Sequence, residues 1–139
     1  MLALVFVTLL QTPAASPIET PLETIDRGAR SMVDSPRQLV VRTPEEWSAL
    51  WRAHSPNRPA PAVDFAAKMA VAVFLGVRST GGYAVDIVRT REERGALVVE
   101  YIEKRPSPDA IVAQVLTSPF HIVAMTARTG EVRFEKVPK

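Results

Sequence analysis

The residues with the greatest chemical potential are few. Two histidines, His54 and His121, stand among hydroxyl side chains at Ser79, Thr80, Thr117 and Ser118. A nucleophilic site would pair one of these hydroxyls with a histidine and an acid such as Asp64, Asp86 or Glu100. No local spacing selects such a set. Ser79 lies in Arg-Ser-Thr-Gly-Gly, without the G-x-S-x-G elbow or the helix that should follow it. The same glycines, Gly81 and Gly82, suggest an anion nest. A phosphate loop, however, continues into a helix and usually a lysine, and here a strand-like segment follows. With no cysteine in the chain, thiolate metal sites, Cys nucleophiles and disulfides are excluded. A metal site would need both histidines and carboxylates from distant segments. The expectation is therefore no catalytic residue, no metal site and no cofactor.

The whole chain sets these residues in context. It has 139 residues, 47% of them hydrophobic, with 17 Lys+Arg against 15 Asp+Glu. Arg89, Arg91 and Arg94 alternate with Glu92 and Glu93, so no basic stripe forms and no nucleic-acid partner is expected. Met1–Leu10 (MLALVFVTLL) is apolar but too short to span a bilayer. With the small residues Ala14, Ala15 and Ser16 after it, residues 1–16 read as a secretory signal. Residues 17–21 then read as a linker and 22–139 as a single domain, exported to the periplasm or secreted. No stable membrane anchor is expected once the signal is removed.

The elements that must position the chemistry come next. Leu22–Arg30 and Gln38–Arg42 read as strands. Thr43-Pro44-Glu45-Glu46 is a helix start, with Thr43 as N-cap, Pro44 at the first helical position and Glu46 closing a capping box. Trp47, Leu50, Trp51 and His54 then share one helical face, a pattern of core packing. If exposed instead, Trp47, Trp51 or Tyr83 would line a pocket for a glycan or small molecule. Ser55–Pro61 ends the helix with three prolines.

Met69–Leu75 reads as a strand buried on both faces, and Val77–Gly82 as a loop. Tyr83–Thr90 and Ala96–Lys104 read as a hairpin over a four-residue connection, Glu92–Gly95. Ile111–Leu116, Phe120–Thr126 and Glu131–Val137 complete the strand candidates, the last entered through a two-residue turn at Thr129-Gly130. The fold class expected is α+β, a mainly antiparallel sheet of about six or seven strands with one short packed helix.

Several strings carry a family resemblance: Val63-Asp64-Phe65, the run ending in Leu75-Gly76, Ser79-Thr80-Gly81-Gly82-Tyr83, Glu103-Lys104-Arg105-Pro106, and Gln114-Val115-Leu116-Thr117-Ser118-Pro119-Phe120-His121. With Thr43–Trp47 and Leu50-Trp51 upstream, residues 22–137 resemble the C-terminal domain of PrcB-type protease-complex subunits. The resemblance implies an extracytoplasmic accessory subunit that associates with and stabilises a protease and has no catalytic residues of its own. Members often carry a lipid-anchor cysteine, which is missing here, so free secretion or periplasmic residence is expected. On the family pattern, recognition falls to two loops: Arg78, Ser79, Thr80, Gly81, Gly82 and Tyr83, and Thr117, Pro119, Phe120 and His121. Arg78 would be the charged anchor, with Tyr83 and Phe120 as aromatic contacts.

Overall fold

The computed structural model describes residues 20–139; the expected signal and most of the expected linker lie outside them. Seven strands and one helix follow in the order β1 (Glu23–Gly28), β2 (Arg37–Val41), α1 (Pro44–His54), β3 (Lys68–Phe74), β4 (Ala84–Glu93), β5 (Ala96–Lys104), β6 (Phe120–Thr126) and β7 (Val132–Lys136). The class is α+β, as the residue pattern implies.

The helix begins as its capping residues dictate. Thr43 accepts a hydrogen bond from the Glu46 amide at 3.1 Å, and the Glu46 carboxylate accepts from the Arg42 amide at 3.3 Å. Its apolar face buries Trp47, Leu50 and Trp51. The two indole N–H groups donate to the carbonyls of Pro61 and Arg58, each at 2.9 Å. The proline-rich segment after the helix thus satisfies the polar edges of both rings.

The strands divide into two sheets rather than one, with orders β1-β6-β3-β2 and β4-β5-β7. Helix, first sheet and second sheet form three layers. Ala70, Ala72, Phe74, Phe120 and Ile122 face the helix, while Met69, Val71, Val73, Val123 and Met125 face Val85, Ile87, Leu97 and Val99 of the second sheet. A middle layer needs apolar residues on both faces. That is why β3 and β6 are nearly uninterrupted apolar runs instead of alternating ones.

Three expectations are corrected. The β4–β5 hairpin turns through two residues, Arg94 and Gly95, both with positive φ (50° and 81°), so the strands reach Glu93 and Ala96. Ile111–Leu116 is not a strand but part of an irregular segment between β5 and β6. Ile111, Val115 and Leu116 face solvent, Ile111 fully and Leu116 at 73%, so no sheet face claims them. Finally, Thr129-Gly130 does not return β7 onto β6. The chain crosses to the second sheet, where β7 lies parallel to β5. The excursion through β6 supplies the long crossover that a parallel pair requires.

On the outer face of the second sheet, Arg89 and Arg91 both pair with Glu100, and Arg91 also reaches Glu93 and Glu135 at 2.7 and 2.8 Å. The interleaved charges of the sequence are therefore a cross-strand ladder.

Candidate functional site

The two loops singled out by sequence do meet. Arg78 and Thr117 form an isolated antiparallel bridge through amide–carbonyl bonds of 2.8 and 2.9 Å. The Thr117 hydroxyl donates to the Thr80 carbonyl at 2.8 Å, and the Gly81 amide donates to the Ala113 carbonyl at 2.9 Å. A third segment joins them: Ser118 donates to Ala29, Ser31 donates to Ser118, and Val77 donates to Asp34. Three connections are thus laced together beyond the ends of β1, β3 and β5.

Gly82 explains the glycine pair. Its φ is +89°, and a Cβ there would lie 2.8 Å from Pro106 and 2.9 Å from Val112. Gly82→Ala therefore combines an unfavourable backbone with a clash. It is expected to lower stability by at least about 1–2 kcal/mol in thermal denaturation, and an unchanged midpoint would show that the loops are not locked together here.

Arg78 is a structural hub. Its guanidinium donates to Glu103 at 2.9 and 3.2 Å and to the Leu75 carbonyl at 3.0 Å, and it lies 5.8 Å from the centre of the Tyr83 ring. Burial raises the proton affinity of Glu103. The hydrogen bond and charge of Arg78, with the charges of Arg105 and Lys136, outweigh it and hold this carboxyl below its ordinary range. Arg78 thus fastens the loops to β5, and its removal would leave the buried Glu103 carboxylate only the longer contacts with Lys136 (3.5 Å) and Arg105 (3.7 Å).

Thr117, Pro119, Phe120 and His121 are all buried, and Phe120 turns inward against the helix. They support the surface from beneath. The apolar area offered to solvent comes from residues that sequence reasoning left unselected: Met32 (65% exposed), Val77, Ile111, Val115 and Leu116. Ile111, Val115 and Leu116 lie in an apolar pattern that is equally that of a strand, and nothing local marks Met32 or Val77.

Both histidines find hydroxyl partners. The His121 Nδ1 accepts from the Ile87 amide at 2.8 Å, which places the ring proton on Nε2, toward the Thr24 hydroxyl at 2.9 Å. Burial above all, and the nearby Arg27 charge, lower the pKa of His121 to about 4, with Asp86 opposing. His54 bridges Ser31 (Nδ1 to Oγ, 2.8 Å) and Asp26 (Nε2 to Oδ2, 2.8 Å). Burial raises the proton affinity of Asp26, but its hydrogen bonds to His54 and Arg58 prevail and its pKa is lowered.

Ser31, His54 and Asp26 are the residue types of a hydrolase triad, yet their surroundings close it. The ring of His54 is fully buried among Trp51, Phe74 and Phe120. The Ser31 hydroxyl already accepts from the Val33 amide. The amides of Ser31, Met32 and Val33, which could have formed an oxyanion hole, donate to Ser118, His54 and the Ser31 hydroxyl. The relay is a strut joining β1, the β1–β2 connection and the helix. A bulge creates it. The register shift between Thr24 and Asp26 puts Ile25 and Asp26 on the helix side, while Thr24 and Arg27 face His121.

Trp47 and Trp51 are 5% and 4% exposed, so they do not form a glycan platform. Among the described residues no three His, Asp or Glu side chains converge as metal ligands, and no helix is long and apolar enough to cross a membrane. Residues 69–126 match the family model described as PrcB C-terminal. No curated protein and no solved structure matches the chain.

Proposed function

With residues 69–126 belonging to the PrcB C-terminal family, we propose that the chain is an exported, non-catalytic accessory subunit that binds a protease through its loop-bearing end. The observation that carries this reading is the exposed apolar set Met32, Val77, Val115 and Leu116 on three connections fastened to one another by backbone hydrogen bonds. A pre-ordered surface loses little conformational entropy on association, and apolar side chains held there gain by desolvation. Export rests on the apolar Met1–Leu10 followed by small residues.

The test is affinity capture from exported material with the wild-type chain and with Met32→Asp/Leu116→Asp. Both side chains are exposed, so the double variant is expected to keep its thermal midpoint, with a stability change within about 1 kcal/mol. Recovery of a protease by the wild type, reduced at least about tenfold by the variant, is the expected result. Equal recovery by both would remove this end of the molecule from the interface. Arg78→Ala is the poorer probe, because the loss of its bond to Glu103 disturbs the loops themselves.

A further inference from the structure

Among the described residues four strands lie at sheet edges, and three are guarded. β1 and β4 each carry a bulge, and they are tied together by the Arg27–Asp86 ion pair at 3.0 Å. β7 presents Arg133, Glu135 and Lys136, and charge on an edge disfavours the docking of another strand. β2 is different. It pairs with β3 over five residues without a register shift, and its inner sequence, Gln38-Leu39-Val40-Val41, bears no charge. Beside its free edge, a groove of about 240 Å³ runs along the helix, floored by Leu39, Val41 and Leu50 and walled by the exposed Ala49 and Ala53.

The groove is electrically polar along its length. The chain leaves β2, turns at Thr43 and returns along α1, and the Met32 amide bonds to the His54 carbonyl. Glu46 therefore sits at the Val41 end and Arg37 at the opposite end. The exposed face of α1 repeats the polarity, with Glu45 in its first turn and Arg52 in its last. Arg37, Glu45 and Arg52 form no ion pair among the described residues.

We propose that the β2 edge and the α1 groove are the seat of a second copy of this chain, paired antiparallel about a two-fold axis near Leu39. A two-fold reversal turns an acidic–basic axis into its own complement. Arg37 of each copy meets Glu46 of its partner, and the acidic start of one helix meets the basic end of the other. The small Ala49 and Ala53 let the helices approach, and the two four-stranded sheets join into one of eight. An extended segment of another protein would need to supply the opposite charges itself, whereas this chain already holds both.

The cysteine-free sequence makes the test direct. Sedimentation velocity over a range of concentrations is expected to show a reversible dimer that weakens as salt rises. Arg37→Glu places a carboxylate against Glu46 twice per dimer and is expected to raise the dissociation constant about tenfold or more. Arg133→Glu, on the β7 edge, leaves it unchanged. Under mild oxidation Ala49→Cys is expected to give a cross-linked dimer, and Ser107→Cys in the far loop is not. A chain that stays monomeric at every concentration overturns the proposal. So does a dimer indifferent to Arg37→Glu, or equal cross-linking at the two positions.

Discussion

Replacing His54 with alanine is expected to cost about 3–5 kcal/mol, lowering the thermal midpoint by roughly 10–20 °C. The ring is fully buried and lies 4.3 Å from Phe120, 5.1 Å from Trp51 and 5.8 Å from Phe74, centre to centre. Its removal leaves a cavity that three large aromatic side chains, Trp51 on the helix and Phe74 and Phe120 on the first sheet, cannot readily fill. It also deprives Ser31 and Asp26 of partners. His54→Phe separates the two contributions. It restores most of the volume but not the hydrogen bonds, and a loss of about 1–3 kcal/mol is expected to remain. Chemical denaturation of the two variants beside the wild type measures both. If the alanine variant is as stable as the wild type, the Ser31–His54–Asp26 relay is not a strut.

The second large effect is set by pH. His121 is neutral in the folded chain, with its pKa at about 4 rather than 6.5. The folded value lies below the unfolded one, so the unfolded chain takes up the proton first as the solution is acidified. Stability is full above about pH 6.5 and falls between there and pH 4, by about 3 kcal/mol over the whole window. Asp26, Asp86 and Glu103 are shifted down as well. They contribute stability that is present above the ordinary carboxylate range and is lost only at lower pH, so the windows separate. His121→Asn keeps an acceptor for the Ile87 amide without an ionisable ring. The difference in slope between variant and wild type from pH 6.5 to 4, followed by urea unfolding, isolates this histidine. Parallel slopes would show that His121 is not held neutral.

Local chemistry made some of this architecture readable. Thr43-Pro44-Glu45-Glu46 specifies its helix start within four residues, and Trp47, Leu50, Trp51 and His54 reveal the buried face because the helical period is short. The Arg94-Gly95 turn is equally local, and it was missed only in the strand ends flanking it. What sequence could not show depends on distant partners. Ser31 and Asp26 reach His54 across 23 and 28 residues, and only through a bulge that no alternation pattern reveals. The division into two sheets is hidden for a similar reason: an apolar run states that both faces are covered, not what covers them. Gly81 and Gly82 marked a place where loops crowd together. Which residues of those loops face outward depended on Pro106 and Val112, far along the chain. Phe120 and His121, expected outside, follow a strand that forms the middle of three layers, and so they turn inward.

The late position of β6 in the chain has a consequence for how the molecule is made. β6 lies between β1 and β3 in the first sheet, and its pairing with β1 spans nearly the whole described sequence. A chain emerging amino end first can form the β4–β5 hairpin at once, since that pairing is local. β1 must wait, unpaired, until Phe120–Thr126 arrives to seat it, and the parallel partner of β5 comes later still. Assembly is therefore gated by the arrival of β6 and β7. A nascent chain halted before them would expose an open strand slot between β1 and β3, the form most vulnerable to capture by a holdase or cleavage by a protease.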